Sequence, residues 1–270
     1  MREFWGKYRG KITGNKDPLH LGRVQVTVPA VFGEGRASWA LPCTPYAGKD
    51  IGLFMVPPLA TNIWVEFEGG DPDYPIWSGC FWGDRELPSQ ARVEEPVKVQ
   101  VFRTKGATLT VSTEEKTKGI ALAVEKPMVE KPLKLVYNPD GIELNHSDNM
   151  TVKVLSQSEI IELKNGDRTT VTLSKDSIQL KESNIEIKLT NNSIELKCNP
   201  AEMKLSTSSG IELKNAPAKV ALSSSGIELA STPAGVKIGA AGVDANSGGL
   251  GSIKVSLASV NVNSGALEVT

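Results

Sequence analysis

The sequence predicts an all-β protein with two parts: a small closed barrel, then an intertwined triple-stranded β-helix built by three copies of the chain. Three observations predict this architecture. Apolar and polar residues alternate through much of the 270-residue chain, which is the period of half-buried strands. A tripeptide of the form Ile-Glu-Leu recurs through the second half. Thirteen of the fifteen aromatic residues, including all five Trp, precede residue 85.

The repeat defines the second part. Its Ile-Glu-Leu copies begin at Ile142, Ile161, Ile194, Ile211 and Ile227. Variants of the same apolar-polar-apolar form lie between them, so that units follow one another about every nine residues. The spacers are rich in Asn, Ser, Gly, Lys and Asp, which form turns. Each unit is therefore predicted to be one short strand and one turn.

Such a strand has one apolar face that it cannot bury alone. One chain could coil into a solenoid, or several chains could wind around a shared axis. The supply of about one Ile or Val and one Leu per unit is thin for a one-chain core of normal packing density. We therefore predict a homotrimer. Its core is predicted to consist of Ile142, Leu144, Ile161, Leu163, Ile194, Leu196, Ile211, Leu213, Ile227 and Leu229.

The polar positions between these core residues are expected to face water. They alternate in character along the ladder, with Glu143, Lys153, Glu162, Glu195 and Lys204 among them. Opposite charges on neighbouring strands would stabilise the register by about 0.2–1 kcal/mol per pair.

The first part shows five strand signals and no helical period. They lie at residues 4–12, 22–29, 38–42, 62–68 and 75–82, with Gly- and Pro-rich turns between them. Five short strands in about 80 residues predict a closed barrel of the OB type. The density of aromatic residues predicts an aromatic core. The predicted domains are 1–84 for the barrel, 85–96 for a linker and 97–270 for the β-helix. Pro88, Pro96, Pro127 and Pro132 argue against one uninterrupted sheet after the barrel.

Several segments of the first part carry a family resemblance. They are LGRVQV at 21–26, Trp39, PYAG at 45–48, FMVPP at 54–58 and VEFEGGDPDYPIWSG at 65–79. Together they resemble the OB domain of contractile-tail spike proteins, the phage baseplate spikes and the VgrG proteins of type VI secretion. Family members follow this domain with a trimeric β-helix, which is the order found here. The sequence starts directly at the barrel, as in short spikes whose hub is a separate protein.

The resemblance implies a function. The chain would be the central spike of a contractile injection machine, joined to a hub or baseplate protein through its OB domain. It would puncture the target envelope when the sheath contracts. A PAAR-like tip protein would contact the C-terminal end at Leu267 and Val269. Some family tips hold iron on a His-x-His motif, but the only histidines are His20 and His146, and neither lies near the end. A metal-bearing tip is therefore not expected.

No pattern in the sequence predicts an enzyme, a cofactor or a metal site. Asp71 and Asp73 flank a proline in a Gly-rich segment and are expected to form a turn. His146 is expected in a solvated turn. Cys43, Cys80 and Cys198 lack disulfide or metal spacing and are expected to be small buried residues. The N-terminus has no secretory signal pattern, so we expect synthesis in the cytoplasm and assembly at the tip of a tail or particle.

Two other functions are compatible with these folds. An OB barrel can bind single-stranded nucleic acid, but the first 84 residues have eight Lys and Arg against nine Asp and Glu, a poor balance for that role. The Trp residues are also expected in the core. A trimeric β-helix can serve as a receptor-binding fibre or adhesin, but the C-terminal end has no aromatic residues to face a carbohydrate. We therefore prefer the function of a spike to nucleic-acid binding and to receptor binding.

Overall fold

A computed structural model describes residues 2–147, 149–249, 251–263 and 267–269, and the side chains of 268 and 269 are outside that description. The chain divides into two compact units, Met1–Arg92 and Val93–Thr270. The division falls inside the segment predicted as a linker. Short 3-10 turns occupy Ser89–Ala91 and Pro96–Lys98 on either side of it.

The first unit is a five-stranded closed barrel. Its strands are β1 (Tyr8–Gly14), β2 (Val24–Thr27), β3 (Ala37–Pro42), β6 (Asn62–Phe67) and β7 (Pro75–Cys80), and a short helix α1 (Pro29–Phe32) follows β2. The strand order around the barrel is β1-β2-β3-β7-β6. The β3–β7 pair is parallel and the other pairs are antiparallel. All five predicted strands are confirmed. A small hairpin, β4 (Ala47–Gly48) with β5 (Ile51–Gly52), lies between β3 and β6.

The barrel core is mostly aliphatic, but Phe67 is buried in it and the rings of Phe4, Tyr8, Phe32 and Trp77 pack against it, so the predicted aromatic core is right only in part. The buried set is Ile12, Val24, Val26, Val28, Ala40, Ile63, Val65 and Phe67. Along β6 the burial alternates, with Ile63 and Val65 inside and Trp64 outside. A five-stranded barrel leaves little interior volume, and branched aliphatic side chains fill it while large rings pack around its rim. Trp5 and Trp82 are each 66% exposed.

The loop between β1 and β2 is organised by the carboxylate of Asp17. This carboxylate accepts hydrogen bonds from the backbone N–H groups of Leu19, Leu21 and Arg23 at 2.8–3.2 Å. The Arg23 guanidinium donates two more, at 2.8 and 3.1 Å, and lies over the Trp39 ring at 5.2 Å. The side chain of Asp17 is only 5% exposed. The Arg23 hydrogen bond, with those backbone donors, holds the pKa of Asp17 well below its usual range.

The second unit is a long series of short strands, mostly of six residues. They are β8 (Val99–Thr104), β9 (Ala107–Ser112), β10 (Gly119–Val124), β11 (Leu133–Asn138), β12 (Gly141–His146), β13 (Met150–Leu155), β14 (Ile160–Asn165), β15 (Thr169–Leu173), β16 (Ser177–Glu182), β17 (Ile185–Thr190), β18 (Ser193–Cys198), β19 (Ala201–Ser206), β20 (Gly210–Asn215), β21 (Ala218–Ser223), β22 (Gly226–Ser231), β23 (Ala234–Gly239), β24 (Gly242–Asn246), β25 (Ser252–Val255), β26 (Val260–Val262) and β27 (Leu267–Val269). The predicted repeat of one strand and one turn is confirmed.

Each strand of the second unit pairs antiparallel with the next strand of the same chain, from β8 through to β27. The long antiparallel sheet is consistent with a β-helix. The interruption expected from prolines is wrong: β9 to β12 pair continuously, because Pro127 and Pro132 fall outside the strands, where no ladder donor is needed. In the predicted interwound arrangement, neighbouring strands come from different chains. Here neighbouring strands, such as β15 and β16, are consecutive strands of the same chain.

Glycine begins several repeats for a steric reason. Gly141 and Gly226 have φ values of 140° and 136°, which disfavour residues with a Cβ. A Cβ at Gly141 would also meet the carbonyl oxygen of Val154 on the next strand, and one at Gly226 would meet that of Ile238. The Gly of the Gly-Ile-Glu-Leu repeat therefore lets a strand leave its turn close beside its neighbour.

Candidate assembly surface

Two rows of apolar side chains run across one face of the second-unit sheet. Each strand contributes one residue to each row, because residues two apart on a strand point to the same face. From β12 onward the first row is Ile142, Val154, Ile161, Leu173, Ile178, Leu189, Ile194, Leu205, Ile211, Leu222, Ile227, Ile238, Val243, Val255 and Val260. The second is Leu144, Val152, Leu163, Val171, Leu180, Ile187, Leu196, Met203, Leu213, Val220, Leu229, Val236, Ala245, Ile253 and Val262. We call these two rows the apolar face.

All ten residues predicted from the repeat as a trimer core lie on the apolar face. In the single chain they are 37–46% exposed. The Glu side chains between them are less exposed, at 20% for Glu195 and 25% for Glu212. Between Ile187 and Val236 the face forms an open groove of about 840 Å³. A contiguous apolar surface of this extent marks an interaction site. The assignment of these residues to a trimer core remains a prediction.

Covering this face would release substantial free energy. Full burial of a Val, Leu or Ile side chain is worth about 1.5–3 kcal/mol. About two-fifths of each exposed side chain remains to be buried, so each contributes about 1 kcal/mol. Summed along both rows, this gives on the order of 10 kcal/mol or more per chain, which is comparable with an association cost of about 4–15 kcal/mol.

The opposite face carries a central column of charged residues that pair across strands. Nζ of Lys153 lies 3.1 Å from Glu143, that of Lys204 2.8 Å from Glu195, and that of Lys237 3.3 Å from Glu228. The hydrogen bond from Lys204 lowers the pKa of Glu195, and the same bond raises the pKa of Lys204. The hydrogen bond from Lys219 likewise lowers the pKa of Glu212. The pairing of opposite charges on neighbouring strands is confirmed.

Ala221 interrupts this charged column and offers a test of it. It lies directly opposite Glu212 on one side and Glu228 on the other. We expect Ala221→Lys to raise the thermal stability of the second unit, because a new cation between two carboxylates adds about 0.2–1 kcal/mol per cross-strand pair. Thermal unfolding followed by far-ultraviolet circular dichroism measures the change. Ala221→Glu is the matched control and should lower the transition. Equal effects of the two substitutions would contradict a cross-strand charge ladder.

The barrel carries an aromatic and basic cluster on its outer surface. The Trp64 and Phe81 rings lie 4.7 Å apart, and the Arg9 guanidinium is 5.6 and 5.3 Å from their centres. The expectation that the Trp residues fill the core is therefore wrong for Trp64, although Trp77 packs against the core. The charge balance still disfavours nucleic acid, since a backbone-binding groove needs an excess of cations, and Lys7 is paired with Glu66 at 2.7 Å.

A second exposed surface of the barrel was not predicted from the sequence. Leu21, Tyr46, Phe54 and Met55 are all at least half exposed, and Phe54 reaches 78%. Phe54 lies beside Gly22, near the loop that Asp17 holds. The sequence does contain a signal for this surface. These large apolar residues lie in segments predicted as loops, where polar residues are expected.

The candidate catalytic and metal-binding residues of the sequence do not form a reactive site in the described part of the chain. Asp71 accepts a hydrogen bond from the Asp73 N–H at 3.0 Å, as in an Asx turn. His146 ends strand β12 and is half-buried, so its placement in a solvated turn is wrong. Cys43, Cys80 and Cys198 are exposed, so their predicted burial is also wrong. No metal-binding cluster of His, Cys, Asp or Glu occurs in the described part of the chain, and no helix there is long and apolar enough to cross a membrane.

The predicted tip residues lie on the last strand, β27. Leu267 is 60% exposed and pairs with Val262. The backbone of Val269 pairs with Val260, while its side chain lies outside the described atoms. Their contact with a tip protein remains a prediction.

Comparison with known families matches residues 8–82 to the type VI secretion system/phage-baseplate injector OB domain. A search among curated proteins finds no match to the chain. The match begins at the first residue of β1 and ends just after β7, so it covers the barrel. The first unit is therefore an OB domain of this injector family.

The resemblance to contractile-tail spike proteins is confirmed by this match. The chain is a spike-like component of a contractile injection machine, with an injector OB domain followed by an extended β sheet. The match of the OB domain to this baseplate injector family points to assembly with other phage or type VI baseplate components, and to a place at the tip of a tail.

Proposed function

We propose that three copies of this chain form the rigid central spike of the injection machine. The observation that carries the proposal is the apolar face, which runs through the second unit and whose ten predicted core residues are 37–46% exposed in one chain. Three chains that turn these faces toward a common axis would bury them and leave the charged column in water. The result is a long β-structured rod joined to an injector OB domain.

The proposed action is mechanical. Sheath contraction drives the rod into the target envelope, and the rod resists bending because many backbone hydrogen bonds and apolar contacts must fail together. No residue is assigned a catalytic role, and no cofactor or metal is required. The spike is made in the cytoplasm and then incorporated at the tail tip.

Two partners complete the proposed assembly. A hub or baseplate protein binds the OB domain, whose surface around Phe54 is apolar and exposed. A PAAR-like protein caps the C-terminal end at β27. Nucleic acid has no place in this assembly.

The trimer is tested by the mass of the purified full-length protein. Multi-angle light scattering should give three times the chain mass of 28.9 kDa. The trimer should persist on dilution, because a large buried apolar surface favours slow dissociation. A one-chain mass at all concentrations would contradict the proposal.

A further inference from the structure

Very short turns connect many strands of the second unit. Pairs of residues directly opposite each other are only three apart in sequence, as in Glu182 with Ile185, Cys198 with Ala201, and Ser231 with Ala234. Such a turn has two residues between the paired positions. A two-residue loop reverses the chain and lays the next strand beside the previous one.

An interwound β-helix needs a different connection. There the chain turns a corner after every strand and continues on the next face, so that consecutive strands of one chain are not neighbours. Here consecutive strands are neighbours along the whole series, with unbroken registers such as the five pairs between β15 and β16. The hydrogen bonds that would join different chains in the interwound form are therefore made within one chain.

The apolar face is what this sheet leaves without a partner. Its two rows have the spacing of the strands and extend to the last strands of the chain. A surface that covers them must be apolar and of the same length and period, and the apolar face of a second copy has these properties. The charged face needs no such cover, because cross-strand ion pairs such as Glu195 with Lys204 already pair its charges.

We infer that each chain supplies one complete face of the spike as a single antiparallel sheet, and that three such sheets meet through their apolar rows. This inference rests on the proposed trimer and specifies how its chains are joined. Side-chain packing holds the chains together, and hydrogen bonds stabilise each sheet separately. Each face can then form before assembly, and the chains need not wind around one another.

A pair of engineered cysteines distinguishes this arrangement from the interwound one. Thr172 and Gln179 lie directly opposite on β15 and β16, where the Cα separation suits a disulfide. The substitutions are Thr172→Cys and Gln179→Cys, in a chain whose Cys43, Cys80 and Cys198 are replaced by Ser. After mild oxidation, we expect a disulfide within one chain. It should appear on a denaturing gel as a single-chain band that shifts on reduction, and as a 172–179 cross-linked peptide in mass spectrometry.

A mixed assembly is the matched control. Chains carrying only Thr172→Cys are co-expressed with chains carrying only Gln179→Cys, and the oxidised product should contain no covalent dimers. Covalent dimers in the mixture, or no cross-link in the double variant, would overturn the inference. Light scattering on the same samples separates this result from the proposed function. A three-chain mass with dimers in the mixture keeps the trimer and rejects one face per chain, whereas a one-chain mass rejects the trimer itself.

Discussion

Replacing Ile194 and Leu196 with Asp is expected to abolish the proposed trimer. Both side chains lie on the apolar face, where Ile194 is opposite Leu189 and Leu205, and Leu196 is opposite Ile187 and Met203. In the trimer, three copies of each carboxylate would be buried in apolar surroundings without a counter-ion, which costs several kcal/mol per charge. Light scattering should change from a three-chain mass to smaller species, and any band resistant to sodium dodecyl sulfate should disappear from the gel.

The first unit provides an internal control for this double variant. All five Trp residues precede residue 85, so Trp fluorescence reports unfolding of the OB domain alone. Its transition should not move. Glu195→Asp places the same residue on the same strand but on the charged face, and should retain the trimer. A double variant that remains fully trimeric would show that the inward face has been wrongly assigned.

Replacing Asp17 with Asn is expected to lower the melting temperature of the OB domain. The carboxylate of Asp17 accepts three backbone hydrogen bonds and two from Arg23 while almost fully enclosed. The amide of Asn is neutral and has only one acceptor oxygen, so donors in the loop would lose partners. The Trp fluorescence transition should move to lower temperature at neutral pH. Asp84→Asn is the control, because Asp84 is 92% exposed and should leave the transition in place.

The same substitution should flatten the response of the OB domain to acid. The pKa of Asp17 is lower in the folded protein than its usual value near 4 in an unfolded chain. Its stabilising contribution is therefore fully present above about pH 4 and is lost as the pH falls further, toward the folded-state pKa. Below that range the unfolding transitions of the wild type and Asp17→Asn should converge. A constant difference between them at all pH values would contradict a role for the ionised carboxylate.

The repeat was readable from the sequence because strand periodicity is local. Ile142 and Leu144 alternate with Glu143, and this pattern alone indicates a strand with one apolar face. The strand residues of the barrel were likewise predicted from alternation, as in Asn62–Phe67. Alternation does not say which of two apolar sets faces inward, however. Trp64 and Val65 are adjacent and both apolar, so either could face inward. Val65 is the buried one, because the small interior of the barrel accommodates its side chain more easily than an indole ring.

The length of the turns is also visible in the sequence. Spacers such as Asn199-Pro200 and Ala216-Pro217 are only two residues long between strands, and loops of that length favour hairpins. The hydrogen-bond network around Asp17, by contrast, cannot be predicted from the sequence. It joins backbone groups of Leu19, Leu21 and Arg23 in a loop with no regular pattern, so its geometry emerges only when the chain is folded.

The sequence by itself determined that this protein is all-β, that a barrel precedes a strand repeat, and that every repeat has one apolar face. These properties depend on local alternation, turn residues and the composition of each segment. Tertiary structure decided which side chains fill the barrel and which strands are neighbours. Both depend on the space that folded elements leave and on long-range hydrogen bonding, which a pattern of neighbouring residues does not encode. The in-chain pairing of strands such as β15 and β16 is the feature on which the proposed arrangement of the spike depends.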